Sequence, residues 1–285
     1  MPSVTLESLH ELFTKASLNQ QEIIVKTSTS GEGIFSYNRE GNTPRTYLQW
    51  AKEDLVGRSN RGCVNGIGNA KKSIALLIDQ TLDSLNVSVD SKINIRKFIS
   101  QCSDSFLEGG NTKTKLIASL GVAPSVLISD IWMQRNEIEH GYSNLEPKQV
   151  KQAIEVAELL ILSVDSREQT AHKIEFLDIE IYNRFKNHKD PFASKPRGIV
   201  FDWLYENEKA TFSLSYEDKK NVKYSYNFQG DEYEFLLLIK AAFCNTTYDR
   251  VIFEHTVTEF LTAALGDNFS VREFDLKIVK ADYFE

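Results

Sequence analysis

The chain has 285 residues, of which 41% are apolar, 11% aromatic and 26% charged, with a formal net charge of −7. That is enough apolar mass for one large domain or two modest ones, and an acidic total excludes broad, non-specific coating of nucleic acid. Three cysteines without CxxC spacing exclude a disulfide framework and a zinc knuckle, and they suit a reducing cytoplasm; no apolar run reaches membrane-spanning length and no signal-peptide pattern opens the chain.

Residues 1–42 read as a small leader, with a short helix in "LESLHELFTKA" and a strand–turn–strand in "EIIVKTSTSGEGIFSYN". From 43 to 166 the signals turn helical. Thr43-Pro44 is an N-cap followed by proline at the first helical position, and Tyr47, Leu48, Ala51 and Leu55 then recur at helical spacing. The glycine-rich "RGCVNGIGN" reads as an interhelix loop. A longer helix follows it, with Ile74, Leu77, Ile78, Leu82 and Leu85 on one face. Ile95, Phe98, Ile99 and Cys102 predict the next helix, Leu116, Ile117 and Leu120 a shorter one. Pro124 opens another, with Leu127, Ile131 and Ile138 inward and Gly141 placed to stop it. Pro147 opens the last, whose Val150, Ile154, Ala157, Ile161 and Val164 form a stripe. Helices joined by short connections predict an antiparallel bundle.

Beyond "REQTAHK", the expected boundary, the period becomes two. Phe212, Leu214 and Tyr216 alternate, as do Val222, Tyr224, Tyr226 and Phe228, across the turn "EDKKN", which predicts a hairpin. "KIEFLDIEIY" and "REFDLKIV" alternate too, "EYEFLLLIKAAF" and "HTVTEFLTAAL" predict helices, and "RVIFEH" reads as a strand edge running into the second of these. The expected fold is thus α+β: a leader (1–42), an N-terminal helical bundle (43–166) and a mixed α+β C-terminal domain (172–285). The order of elements in the last domain faintly resembles a winged helix.

Charge is uneven. Residues 44–97 carry nine Lys/Arg against five Asp/Glu, whereas 171–285 carry fifteen against twenty. Within the basic region, Arg58, Arg61, Lys71 and Lys72 are candidates to contact a phosphate backbone, or form a solvated helix face. The glycines of "GCVNGIGNA" precede a helix but lack the Lys-Ser/Thr of a phosphate-binding loop.

The stretch "QRNEIEHGYS", residues 134–143, concentrates the chemistry. Arg-x4-His spacing alone decides nothing, since Arg135…His140, Arg167…His172 and Arg250…His255 all share it. Only the first has Asn136 directly after the arginine and Tyr142 two residues past the histidine, on the predicted penultimate helix of the bundle. Asn136 and His140, four apart, fall on one helix face, with Arg135 flanking them. The plain alternative is an Arg135–Glu139 surface pair beside a C-terminal helix cation, His140.

Arg-Asn-x-x-x-His on the penultimate helix of a bundle resembles the HEPN superfamily, and "NAKKSIALLID" is similar to that family's early helix. The resemblance covers roughly 43–165 and implies metal-independent RNA cleavage with no cofactor. It implies His140 as general base or acid, Arg135 as electrostatic clamp, and Asn136 orienting His140 or a phosphate oxygen. The products expected are a 2′,3′-cyclic phosphate and a 5′-hydroxyl. It further implies a C2 homodimer whose two motifs form a composite site, in a toxin or antiphage effector. Tyr142 extends the motif to the form that a nucleotidyltransferase-type antitoxin modifies in some family toxins. The alternatives are a non-catalytic dimerisation module and a nucleic-acid-binding regulator using the C-terminal domain.

Overall fold

The computed structural model describes residues 2–29, 41–57, 59–89, 92–102, 111–124, 146–166, 171–180, 182–183, 198–206, 209–244 and 249–276. Among them the order is β1 (Ser3–Thr5), α1 (Leu9–Ala16), β2 (Ile23–Thr29), α2 (Pro44–Val56), α3 (Asn60–Ser84), α4 (Lys92–Cys102), α5 (Thr112–Ser119) and α6 (Pro147–Asp165). There follow β3 (Ala171–Asp178), β4 (Ile199–Glu206), β5 (Lys209–Glu217), β6 (Lys223–Asn227), α7 (Tyr233–Phe243), α8 (Arg250–Leu265) and β7 (Val271–Asp275). The fold is mixed α+β, in two compact units: α2 to α6 form one, and β1, α1 and β2 join the elements after α6 in the other.

The second unit is built on one seven-stranded sheet, in the order β1-β6-β5-β4-β3-β2-β7. β3 lies antiparallel to both β2 and β4, β5 is antiparallel to β6, and the edge strands β1 and β7 run parallel to β6 and β2. The leader is therefore not a separate piece. β2 finds its antiparallel partner in β3, with Lys26 opposite Glu175, rather than in a neighbouring leader strand. Period-two hydropathy marks a strand but does not name its partner, which is why the leader reads as autonomous in the sequence. The second half of the expected leader hairpin falls on residues 30–40, outside those described.

Alternation in the strands sorts the two faces of the sheet. On one face Phe176 meets Phe13 of α1 edge-on at 6.0 Å and stacks on Phe260 of α8 at 5.5 Å. Phe212 and Phe228 both meet Phe235 of α7, at 5.0 and 5.5 Å. The "EDKKN" hairpin forms as expected, with Leu214 opposite Tyr226 and Tyr216 opposite Tyr224. Asp218 Oδ1 accepts from the backbone N–H of Lys220 and Val222, and Asn221 takes the left-handed conformation the turn requires (φ 58°). Because β5 and β6 sit inside a larger sheet, the winged-helix arrangement is replaced by a layer of helices over seven strands.

The opposite face carries polar groups. Lys26 and Glu175 form a buried ion pair at 3.2 Å, and Lys173 lies 3.4 Å from the same carboxylate. Beside them Ile24, Leu177 and Tyr182 form a small buried cluster. The Tyr182 hydroxyl donates to Asp275 (3.1 Å) and Glu273 (3.3 Å) of β7. Burial, then the Asp275 carboxylate beside it, pushes that hydroxyl up to about 12.

"RVIFEH" is helical throughout, within α8, not a strand edge. Phe253, Val257, Phe260 and Leu261 are buried on one side. The Thr256, Thr258 and Thr262 hydroxyls are satisfied within the helix, donating to the carbonyls four residues back.

In the helical unit, the two proline starts hold. Thr43 accepts from the N–H of Thr46 in a capping box with Pro44 in the first turn, and before Pro147 the Glu146 N–H donates to Gln149 Oε1 at 3.0 Å. α2 packs on α3 and both pack on α6, while α5 packs on α3 and α4 on α5. Val150, Ile154, Ala157, Ile161 and Val164 are all buried, as the stripe predicts, and so are Ile74, Leu77, Ile78, Leu82 and Leu85. Lys52–Glu158 and Arg45–Asp165 pairs link α2 to α6 at the surface.

The glycine-rich run is helix, not loop. α3 begins at Asn60, capped by Ser59, and carries Gly62, Gly66 and Gly68 in its first three turns. A Cβ on Gly62 would lie 2.3 Å from the Asp54 backbone oxygen, and one on Gly66 would lie 3.0 Å from Val150 Cγ1 and 3.2 Å from the Ala51 oxygen. These glycines let α3 approach the backbone of α2, and that packing offsets the roughly 1 kcal/mol that each costs a helix relative to alanine.

Candidate functional site

Arg135, Asn136, His140 and Tyr142 lie outside the described residues, as does the predicted helix from Pro124 to Gly141 beyond its first residue. The chain on either side is fixed. α5 closes at Gly121 (φ 77°), Val122 and Ala123 are buried, and the chain resumes at Glu146, directly before α6. The motif thus occupies the connection between α5 and the last helix of the helical unit.

The competing Arg-x4-His pair on α8 is engaged otherwise. Arg250 Nε donates to Glu254 at 2.7 Å and His255 lies 3.6 Å from Glu259, each an i, i+4 surface pair. Arg167 of the remaining pair is outside the described residues, and His172 belongs to β3. Among the described residues no three His, Cys, Asp or Glu side chains gather as metal ligands do. None of the three cysteines is in a disulfide; Cys63 and Cys244 are buried and Cys102 is half-buried.

Of the four candidate RNA-binding cations, Arg58 is outside the described residues. Arg61 is exposed in the first turn of α3, Lys71 is half-buried and Lys72 is exposed. Arg61 and Lys72 are about three helical turns apart, so they lie on one side of α3. Lys71 is turned away from that line by its position next in the chain.

Lys72 borders a cleft between α2 and α3 of about 400 Å³. From α2 the cleft is lined by Trp50, Glu53 and Asp54. From α3 the lining includes Val64, Gly68 and Asn69. Trp50 sits off the buried stripe of α2 and is 39% exposed. The Tyr47 ring meets it edge-on at 5.2 Å, and Lys72 Nζ lies 5.7 Å from the Tyr47 ring centre. Asn69 Nδ2 donates to Asp54 Oδ2 at 2.9 Å, and Gln49 Nε2 donates to Glu53 at 2.9 Å. Two carboxylates thus share the cleft with one ammonium, and the local field does not favour a run of phosphates.

No protein-family model, curated protein or solved structure matches this chain.

Lys72 was legible in the sequence as a candidate contact. Trp50, Gly68, Asn69 and Asp54 were not, because residues on the outer face of a helix carry no periodicity that separates a cleft wall from a solvated surface. One signal was available: Trp50 is a large aromatic outside the apolar stripe of its own helix.

Proposed function

We propose that the chain is a HEPN-type, metal-independent endoribonuclease acting as a C2 homodimer in the cytoplasm. The observation carrying this reading is Arg135-Asn136 with His140 in the connection leading into α6, in a unit of mutually packed helices, while the Arg250–His255 pair is spent on carboxylates. Imidazole titrates near neutrality, so His140 of one protomer takes the proton from a ribose 2′-hydroxyl. The hydroxyl oxygen bonds to the adjacent phosphorus, and the His140 imidazolium of the second protomer gives its proton to the departing 5′-oxygen. Arg135 holds the extra charge of the phosphorane bidentately, and Asn136 orients His140 or a phosphate oxygen. Arg61 and Lys72, on one side of α3, are among the described cations proposed to contact flanking RNA, each through a single phosphate. Tyr142 is the position at which a nucleotidyltransferase-type antitoxin would add a nucleotide, blocking RNA by charge and bulk. Cysteines outside disulfides suit the cytoplasm, and no helix among the described residues is long and apolar enough to cross a membrane.

A second reading, a non-catalytic dimerisation module, is favoured by Leu159 and Leu162. These stand three residues apart on α6 and are 51% and 52% exposed. One experiment separates the two readings. Purified protein is incubated with total RNA in EDTA and the ends are mapped. Cleavage giving cyclic phosphate ends, lost in both Arg135→Ala and His140→Ala, is the expected result. Cleavage unchanged in those variants refutes the assignment, and a stable dimer without cleavage favours the module.

A further inference from the structure

We propose that the α2–α3 cleft is a binding site for a guanine nucleotide. The base lies against Trp50 and the Asn69–Asp54 pair reads its edge. This inference is independent of RNA cleavage by His140.

The first observation is Gly68. Gly62 and Gly66 are explained by the approach of α2 and α6, but a Cβ on Gly68 would meet nothing within 4 Å among the described residues. A glycine in a helix interior costs about 1 kcal/mol relative to alanine, and at position 68 no packing among the described residues recovers it. What the missing side chain leaves is space, and Gly68 lines the cleft. A cleft of about 400 Å³ is in the range that holds a small molecule the size of a mononucleotide.

The second observation is the apolar surface left wet around that space. Trp50 is 39% exposed and Val64 is 53% exposed. The Tyr47 ring holds the indole by an edge-on contact at 5.2 Å. A fixed, half-exposed indole is a surface on which a flat heteroaromatic ring stacks, and such stacking suits any base.

Selection among bases comes from the polar groups. The Asn69–Asp54 hydrogen bond orders both side chains and uses one amide N–H and one carboxylate oxygen. It leaves Asp54 Oδ1 and Asn69 Oδ1 as acceptors without a hydrogen-bond partner among the described residues. Glu53 adds further acceptor capacity. A ligand that complements such a wall brings donors. Guanine presents N1–H and N2–H₂ side by side on its Watson–Crick edge, whereas adenine, cytosine and uracil each set one donor next to an acceptor there. Lys72 supplies one cation for a phosphate, and Glu53 and Asp54 oppose a polyphosphate tail, so a monophosphate or an internucleotide phosphate fits. An arginine side chain has the same paired donors, but it would face Lys72 and leave much of the cleft empty.

The test titrates the full chain with GMP, AMP and two single-stranded octaribonucleotides, one all adenine and one with a single guanine, by calorimetry. GMP is expected to bind about tenfold or more tightly than AMP, the margin of one lost charge-assisted hydrogen bond. Asp54→Asn should bring the two within about threefold of each other, because one acceptor becomes a donor. Gly68→Leu, which fills the space, and Trp50→Ala, which removes the stacking surface, should each weaken GMP about tenfold or more while circular dichroism stays unchanged. Tighter binding of the guanine octamer than of GMP identifies an RNA base as the natural occupant, and the reverse order identifies free nucleotide. No GMP binding at millimolar concentration, equal binding of GMP and AMP, or indifference to both Gly68→Leu and Trp50→Ala overturns the proposal. Preference for an arginine-containing peptide over GMP also overturns it, in favour of a protein partner. His140→Ala is expected to keep wild-type GMP affinity, so failure of the cleavage assay and failure of this one are separate results.

Discussion

Three glycines in one helix make opposite predictions on gaining a methyl group. At Gly68 the added Cβ meets none of the described residues, so Gly68→Ala keeps the contacts of α3 with α2 and α6 and gains helix propensity, about 0.8–1 kcal/mol. With a urea m-value of about 2 kcal/mol/M, the unfolding midpoint should rise by about 0.5 M. At Gly62 the same methyl would sit 2.3 Å from the Asp54 oxygen. Restoring ordinary contact requires the facing backbones of α2 and α3 to part by about 1 Å, and overpacking of that kind costs about 1–3 kcal/mol. Gly62 lies in the first turn, where the N–H that Ser59 caps is also disturbed, so the helix gain there is small. Gly62→Ala should therefore lower the midpoint by about 0.5–1.5 M. Both variants are compared with wild type by urea unfolding followed by far-UV circular dichroism. If the stretch were an interhelix loop, Gly68→Ala would do nothing or destabilise. A Gly62→Ala protein as stable as Gly68→Ala would refute the close approach of α2 and α3.

The buried pair on the sheet should be costly to break and cheap to replace whole. Lys26→Met leaves Glu175 buried with Lys173 at 3.4 Å, and should lose about 3 kcal/mol in urea unfolding, while Lys26→Met/Glu175→Leu recovers most of that; a neutral single variant would contradict the pairing. Tyr182 makes stability depend on alkaline pH. Its hydroxyl holds a proton more tightly folded, at about 12, than unfolded, at about 10, so its contribution is complete below about pH 10 and declines as pH rises toward 12. Tyr182→Phe should flatten the stability–pH slope in that window and leave the slope below it unchanged, as read from urea midpoints at a series of pH values.

Much of the fold is written in local signals. The proline starts of α2 and α6, the apolar stripe of α6 and the β5–β6 hairpin are each set by residues within a few positions of one another, so the sequence carries them. Pairings between distant segments carry no such mark. β1 joins β6, and β2 joins both β3 and β7, on the strength of burial that only the assembled sheet provides. The same limit explains α3, where a run rich in glycine reads as loop until the carbonyl of Asp54 is placed against Gly62. In the cleft, Lys72 is visible as charge, but the Asn69–Asp54 pair joins two helices and belongs to neither one's periodicity.

The placement of the helical unit between two hydrogen-bonded neighbours governs how the chain is made. Thr29 is paired with Ala171, so when β2 leaves the ribosome its neighbour has not been synthesised. At about 5–20 residues per second, the intervening roughly 140 residues take on the order of 10–30 s to emerge. The helices between them are stabilised by nearer contacts and form in that interval. Ile23, Ile24 and Val25, fully buried in the finished sheet, stay uncovered throughout it. The nascent chain therefore carries a bare hydrophobic strand beside an already folded body, which makes this interval its point of greatest exposure to chaperones and to aggregation.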